Sequence, residues 1–172
     1  AMIDNGSSDA CGIDEITLDT YTFDCTSLGT NTVTLTVKDV NGNTSQASAV
    51  VTVEDKNAPV VTASVDVASN TDDDSAGDCT VDIAITDATF SDNCTGSVLT
   101  WTMSGAVTAT GTGQVGTYTF PSGTTSITYT VTDGAGNTAT DEMDVVVTDN
   151  ESPVVVSFST INALPKSISN SS

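Results

Sequence analysis

The sequence has no Arg, no His and only three Lys among its 172 residues, against 23 acidic residues, so its formal net charge is −20. Without a basic patch a protein cannot neutralise phosphate groups, which excludes nucleic-acid binding and makes anionic membranes poor partners. Without His, the chain lacks the usual general base and the commonest nitrogen ligand of zinc. Catalysis would rest on carboxylates alone, and no Asp or Glu stands in a context that marks it as catalytic. We therefore expect no enzyme activity.

Long apolar runs and helix-favouring residues are also missing. No run of about 18 apolar residues is present, so the sequence predicts no membrane insertion. Leu, Lys, Arg and Glu are scarce, whereas Thr contributes 32 residues and Val 21. Both abundant types favour half-buried strands. The composition predicts an all-β protein.

The four cysteines, Cys11, Cys25, Cys79 and Cys94, lack the C-x-x-C spacing of zinc sites. Their separations of 14 and 15 residues favour two local disulfides, Cys11–Cys25 and Cys79–Cys94. Oxidised pairs indicate an extracellular protein, either secreted or at the cell surface. The alternative is four buried free thiols in a cytosolic protein.

An internal repeat organises the chain. Residues 29–61 align with residues 123–155 at an offset of 94, without a gap and with 15 identities in 33 positions. Each copy has alternating apolar residues, a Gly-Asn turn and a returning strand pattern, which predicts a β-hairpin. Each copy ends in Asp-x-x-x-Pro, at residues 55–59 and 149–153. We interpret these two ends as module boundaries.

Strand patterns near residues 60–67, 79–86, 98–103, 107–112 and 115–120 surround the second copy of the repeat. Together with its hairpin they predict an immunoglobulin-like sandwich of seven short antiparallel strands. Trp101 is expected in its core. Before the first hairpin only residues 16–23 have a strand pattern, so the first module is predicted to lack its front half. The predicted fold is all-β, with tandem immunoglobulin-like antiparallel β-sandwich modules, the first one truncated. Its parts are a partial repeat (residues 1–57), a complete repeat (58–151), and the first strand of a following module or a tail (152–172).

Several motifs resemble a known group of surface proteins. The segments DNGSSDACGID (residues 4–14), FDC (23–25), GTNTVTLTV (29–37) and DVNGN (39–43) closely resemble repeats in large secreted adhesins of Bacteroidetes, including gliding-motility adhesins. The segments SDNC (91–94), FPSGTT (120–125) and YTVTDGAGN (129–137) are similar to the hyalin repeat (HYR) family. The resemblance implies an immunoglobulin-like bacterial surface module, used in tandem for adhesion or as a spacer. Its partners would be neighbouring repeat modules of the same chain or another copy, and surface glycans.

Calcium is the cofactor that so many carboxylates predict, because the ion takes six to eight oxygen ligands. The two junctions resemble the Asp- and Asn-rich linkers through which cadherin-type repeats hold calcium, and we expect the hairpin turns to lie beside them. The candidate ligands are Asp39, Asn41, Asn43, Glu54, Asp55, Asn57, Asp133, Asn137, Asp149 and Asn150. The alternative is that Asp39 and Asp133 only cap their own turns.

The acidic run at residues 72–78 fails the EF-hand pattern, because Ile83 holds the twelfth position. We interpret this run as a solvated loop. Within it, Asp74-Ser75-Ala76 resembles the O-glycosylation acceptor of Bacteroidetes, which makes Ser75 a candidate glycosylation site.

Together these patterns predict a non-catalytic extracellular structural or adhesive repeat of a larger protein, forming a calcium-stiffened rod or fibre. One alternative is a carbohydrate- or ice-binding module that uses outward Thr ladders. A sugar binder would expose at least two of Trp101, Tyr118 and Tyr129, whereas a spacer would bury them. A second alternative is a self-polymerising filament subunit, in which residues 154–156 of one molecule complete the first module of the next by donor-strand exchange.

Overall fold

A computed structural model describes residues 4–71 and 78–153 of the chain. Nearly all of its regular structure is strand, so the all-β prediction is confirmed. Within these residues, no helix has the length and apolarity that a membrane crossing requires. The candidate glycosylation site Ser75 and the predicted donor segment at 154–156 lie outside the described residues. The strands are β1 (Ile13–Leu18), β2 (Gly29–Asp39), β3 (Thr44–Val53), β4 (Val60–Thr62), β5 (Val67–Asn70), β6 (Thr80–Ala84), β7 (Thr89–Ser91), β8 (Val98–Gly105), β9 (Ala109–Thr112), β10 (Thr117–Pro121), β11 (Gly123–Thr132) and β12 (Thr138–Thr148), and a 3-10 turn, η1 (Cys25–Ser27), precedes β2.

The strands form two units, which we call the N-terminal sheet (β1 to β3) and the sandwich (β4 to β12). The N-terminal sheet is antiparallel with the order β1-β2-β3. In the sandwich, a five-stranded sheet with the order β5-β12-β11-β8-β9 packs against the two-stranded sheets β10-β6 and β4-β7. Side chains from both layers share one core, so the immunoglobulin-like sandwich is confirmed. Its most deeply buried members are Phe120, Ile127, Tyr129, Val131, Met143 and Val145.

The two copies of the repeat fold into hairpins with the same register. Val33 of β2 lies opposite Ala49 of β3, and their counterparts 94 positions later, Ile127 and Met143, lie opposite each other in β11 and β12. Burial differs between the copies. Val131 is fully buried, whereas its counterpart Val37 is only half-buried. The repeat alignment predicts like environments for these two residues, and that prediction is wrong, because no second sheet covers the N-terminal sheet within the described residues.

The strand predicted near residues 60–67 is in fact two strands in different sheets. β4 pairs with β7, a strand the sequence did not predict, while β5 pairs with β12. The β5–β12 pairing is parallel, so the prediction of an entirely antiparallel module is wrong at this edge. Between the two strands the chain crosses from one layer to the other. The Ala63 amide donates to Asp141 at 2.8 Å, and Asp66 accepts from the Asp144 amide at 2.9 Å. These two bonds anchor the crossing segment to β12.

The three aromatic residues considered for a sugar binder, Trp101, Tyr118 and Tyr129, form no exposed platform. Tyr129 is fully buried and Trp101 is buried in the same core. Tyr118 is half-buried, with its ring edge-on to that of Trp101 at 6.4 Å between centroids. This burial is the arrangement expected for a spacer.

We expect Gly111→Ala to destabilise the sandwich, because a Cβ at residue 111 would lie 2.3 Å from the Trp101 ring. The indole must move, and overpacking of this kind costs about 1–3 kcal/mol of unfolding free energy. Urea unfolding followed by tryptophan fluorescence measures the loss, and the native emission should also shift to longer wavelength. Gly134→Ala is the matched control, since its Cβ would meet nothing nearer than 3.9 Å. Equal stability of the two variants would contradict this packing.

Candidate metal centre

The N-terminal sheet and the sandwich meet at the linker, residues 54–59, which connects β3 to β4. Two loops of the sandwich reach this linker. Asn93, in the loop before β8, donates to the Asp55 carboxylate at 3.3 Å. Asn137, in the turn between β11 and β12, donates through its side-chain amide to the Asp55 carbonyl oxygen at 3.2 Å. The linker therefore lies against both loops at one end of the sandwich.

A disulfide between Cys25 and Cys94 crosses the same junction, spanning 69 residues of sequence. Cys11 and Cys79 are exposed free thiols. The predicted pairs Cys11–Cys25 and Cys79–Cys94 are therefore wrong. Closeness in sequence misled the prediction, because the two cysteines of each predicted pair lie at opposite ends of the same unit. Cys11 precedes β1 beside the turn that follows β2, whereas Cys25 lies next to the start of β2.

Three carboxylates converge at the junction, and we call them the carboxylate cluster: Asp55, Asp92 and Asp133. One oxygen from each lies within 4.8 Å of the others. Asp133 is buried, and the other two are half-buried. Among the described residues, the two lysines pair elsewhere: Lys56 with Glu54 at 2.7 Å and Lys38 with Asp14 at 2.9 Å. Three like charges are thus held together without a basic partner from that part of the chain.

Asp133 is fixed by its own turn. One carboxylate oxygen accepts from the amides of Ala135 and Asn137 at 2.9 and 2.7 Å, and the other accepts from the Asn137 side chain at 2.7 Å. The Asn137 side-chain bond, followed by the backbone bonds, lowers the pKa of Asp133 despite its burial. The Asp133 carboxylate is therefore ionised at neutral pH. Turn capping, predicted as an alternative to metal ligation, coexists here with membership of the cluster, because a carboxylate has about four acceptor positions.

Asp92 supplies an acceptor atom with no partner. Its Oδ2 accepts from the Cys94 amide at 3.1 Å, while Oδ1 is buried and has no hydrogen-bond partner. Buried polar atoms are nearly always satisfied, so an unpartnered oxygen on a carboxylate that lies close to two other carboxylates is an unfavourable arrangement. A hard cation would satisfy this oxygen and offset the repulsion. The all-oxygen donor set fits calcium in type.

The structure brings only part of the predicted ligand set together. Asp55, Asp133 and Asn137 meet at the junction, and the Asn57 amide donates to Asp55 at 3.0 Å. Glu54 is adjacent in sequence but exposed, and it pairs with Lys56. Asp92 is the ligand candidate that the sequence prediction missed. The sequence signal for Asp92 is the segment SDNC (residues 91–94), which also carries part of the family resemblance.

The remaining predicted ligands lie far from this junction. Asp39, Asn41 and Asn43 form the turn after β2, at the opposite end of a strand that is 11 residues long, which corresponds to roughly 35 Å. Asp149 and Asn150 follow β12, at the opposite end of the sandwich from Asp133. The expectation that the hairpin turns lie beside the junctions is therefore wrong for the first hairpin, whose turn lies at the far end of β2. The turn of the second hairpin lies beside the junction that precedes the sandwich.

No family model matches this chain, and no curated protein sequence matches it. Solved structures that it is similar to include Protocadherin Gamma B2 extracellular cadherin domains 1-5, at a TM-score of 0.40 and 18% identity over 77% of this chain and 28% of that chain. Domains 3-6 of the same protein align at a TM-score of 0.38 and 18% identity, over 74% of this chain and 34% of that one. The Protocadherin gammaB7 EC3-6 cis-dimer structure aligns at 0.39 and 14%, over 81% and 40%. This chain spans less than half of each structure, and TM-scores below 0.5 carry no argument about what it does.

Proposed function

We propose that this chain is a non-catalytic structural or adhesive repeat region of a larger extracellular protein, in which calcium stiffens the joint between immunoglobulin-like modules. In this proposal, residues 1–57 form a partial module, residues 58–151 form a complete one, and residues 152–172 belong to a following module or a tail. The observation that carries the proposal is the carboxylate cluster, which draws one group from the linker and two from the sandwich.

The extracellular location is supported by the Cys25–Cys94 disulfide, because such bonds persist in oxidising compartments and are rare in the cytosol. The resemblance to hyalin repeats and to Bacteroidetes adhesins belongs to the same proposal. Neighbouring modules of the same kind would then be the principal partners. The position of the disulfide supports this, since it joins two units rather than stabilising one.

Calcium would be held by Asp55 from the linker and by Asp92 and Asp133 from the sandwich. Without a cation these carboxylates repel one another, which favours opening of the joint. Bound calcium would bridge them, so that separating the linker from the sandwich would require loss of ligands. A joint that is free to open without calcium would then be held in one orientation with it. That property suits a rod or fibre that carries adhesive sites away from a surface.

Cleavage by endoproteinase Lys-C tests this proposal, because Lys56 lies within the linker and its side chain is 80% exposed. A protease needs the backbone around its target to leave the folded surface. We expect calcium to slow cleavage after Lys56 by up to about a hundredfold when its concentration is a hundred times the dissociation constant. Reducing gels measure the rate, since Cys25–Cys94 holds the two fragments together until it is reduced.

Lys38 provides an internal reference in the same digest, because it lies in β2, far from the linker. Its cleavage rate should not respond to calcium. The variant Asp92→Asn should be cleaved at Lys56 at the same rate in calcium and in chelator. If calcium leaves the rate at Lys56 unchanged in the unsubstituted chain, the calcium-stiffened joint is wrong.

A further inference from the structure

The N-terminal end of the N-terminal sheet repeats the surface that the sandwich presents at the junction. The segment SDAC (residues 8–11) precedes β1, and SDNC (91–94) precedes β8, 83 positions later. The strand registers give the same equivalence. Ile16 of β1 lies opposite Val37, and Leu99 of β8 lies opposite Val131, which is the counterpart of Val37 in the repeat. Cys11 therefore occupies the position that Cys94 occupies in the sandwich.

Local geometry agrees with this equivalence. The Cys11 amide donates to Asp9 Oδ1 at 2.7 Å, as the Cys94 amide donates to Asp92 Oδ2 at 3.1 Å. In the neighbouring turn, Asp39 accepts from Asn43 through backbone and side chain at 2.8 and 2.7 Å, in the pattern that Asp133 forms with Asn137. The segment after Cys11 is joined to that turn, since the Val40 amide donates to the Gly12 carbonyl at 3.3 Å.

One of these two equivalent surfaces is joined to a partner. In the sandwich, Cys94 is bonded to Cys25, and Asp92 and Asp133 face Asp55 of the linker. In the N-terminal sheet, the counterpart Cys11 is an exposed free thiol. The bonded surface of the sandwich shows what the equivalent surface of the N-terminal sheet is shaped to receive. It would receive an acidic linker and a cysteine that lies in a turn like that of Cys25.

The far end of the sandwich carries a cysteine in such a turn. Asp78 accepts from the amide and hydroxyl of Thr80 at 2.9 and 2.7 Å, as Asp24 accepts from those of Thr26 at 2.9 and 2.6 Å. Cys79, which is exposed and free, lies between Asp78 and Thr80. Cys25 lies in the same way between Asp24 and Thr26.

Cys79 also lies at the matching end of its unit. Its carbonyl accepts from the Ser122 amide at 3.2 Å, in the loop that leads into β11, as the Cys25 turn leads into β2. Asp149 follows β12 there, as Asp55 follows β3. The far end of the sandwich therefore presents the same kind of cysteine turn and acidic segment as the end of the N-terminal sheet that meets the linker.

We propose that Cys11 of one copy of this chain forms a disulfide with Cys79 of a second copy, end to end, in the manner of the Cys94–Cys25 joint. The two thiols lose two protons and two electrons to a low-molecular-weight disulfide such as oxidised glutathione, which leaves as two thiols. The contact is heterologous, because the two ends differ, so it can repeat and extend an open chain of copies. The bond needs no cation and is independent of the calcium-stiffened joint.

Two variants, each with a single free thiol, test the proposal in the full chain, and both retain the Cys25–Cys94 disulfide. Cys79→Ser, uniformly labelled with nitrogen-15, keeps only the Cys11 thiol, and unlabelled Cys11→Ser keeps only Cys79. The two are mixed in equal amounts and oxidised with glutathione disulfide, in calcium and separately in chelator. Mass spectrometry of the disulfide-linked peptides then distinguishes the mixed Cys11–Cys79 dimer from the two symmetric dimers. Random pairing gives the mixed dimer half of the product, whereas we expect more than about nine-tenths.

The same mixture in concentrated urea is the control, because unfolded chains keep both thiols but lose both surfaces. There the mixed dimer should fall to half. The proposal is overturned if the native mixture gives the mixed dimer at no more than half, if the thiols end only as glutathione adducts, or if the preference persists in urea. The preference for the mixed dimer should be the same in calcium and in chelator. If it is, and calcium leaves cleavage at Lys56 unchanged, this proposal stands while the calcium joint fails, so the two are distinguishable.

Discussion

Replacing Cys25 and Cys94 together by serine should lower the free energy of unfolding by roughly 4 kcal/mol. The bond closes a loop of 69 residues, and the loss of chain entropy in the unfolded state grows with the length of such a loop. Most of the destabilisation should appear in the N-terminal sheet. Of the residues that the structure describes, only Val33 is buried among the apolar side chains of this sheet, whereas 15 buried residues form the core of the sandwich. A sheet with so little buried area depends on its attachment to the sandwich.

Urea unfolding of this double variant is best followed by two signals. Trp101 fluorescence reports on the sandwich alone, while far-ultraviolet circular dichroism reports on both units. In the variant the circular dichroism transition should begin at lower urea than the fluorescence transition. The double variant Cys11→Ser/Cys79→Ser is the control, because both thiols are exposed and unbonded, and it should match the parent within about 0.5 kcal/mol. A loss below about 1 kcal/mol in Cys25→Ser/Cys94→Ser would show that the bond contributes little.

Local features of this fold could be predicted because they depend on residues close in sequence. The hairpins follow from alternating apolar residues and a Gly-Asn turn, and the 94-residue offset gives the same register in both. Gly42 and Gly136 adopt positive φ in those turns, a conformation that glycine reaches without a steric penalty. The repeat alignment predicts like environments for Val37 and Val131, and the structure differs because no second sheet covers the N-terminal sheet within the described residues.

Features of the joint could not be predicted in the same way, because they depend on which loops meet in space. The disulfide partners and the ligand set both depend on one feature of the fold: the turn after β11 lies at the start of the sandwich rather than at its end. That fact is set by strand direction and by the linker, not by any local pattern. One signal was present but unused: the segments SDAC and SDNC mark equivalent positions. Recognising them would have shown that Cys11 and Cys94 are counterparts and that Asp92 belongs beside Asp133.

The split of the predicted strand at residues 60–67 has a comparable cause. Val60 to Val67 alternate in a way that fits one strand, and nothing local requires a break. The break is set by two residues of β12: Asp141 accepts from the Ala63 amide and the Asp144 amide donates to Asp66, which holds the crossing segment. Contacts about 78 residues apart in sequence decide it. The parallel pairing of β5 with β12 follows from that crossing.

Calcium should raise the free energy of unfolding of the parent chain by about 2.7 kcal/mol when its concentration is a hundred times the dissociation constant. The gain arises because the ion binds the assembled carboxylate cluster and not the unfolded chain. In Asp92→Asn this gain should disappear, since the substitution removes the charge of a cluster carboxylate whose Oδ1 has no hydrogen-bond partner. In chelator the order of stability of the two proteins should not favour the parent. Asp92→Asn should be at least as stable as the parent there, because one of three repelling charges is gone.

Asp9→Asn is the matched control for this experiment. Asp9 caps the amide of Cys11 as Asp92 caps that of Cys94, but it lies at the end of the N-terminal sheet away from the cluster. The change in charge and in turn chemistry is therefore the same, while the cluster is intact. Asp9→Asn should keep the full calcium gain, as measured by the urea midpoint in calcium and in chelator. No gain in the parent would mean that the three carboxylates are held together by their own turns and loops without an ion, and a full gain in Asp92→Asn would mean that calcium binds without the cluster.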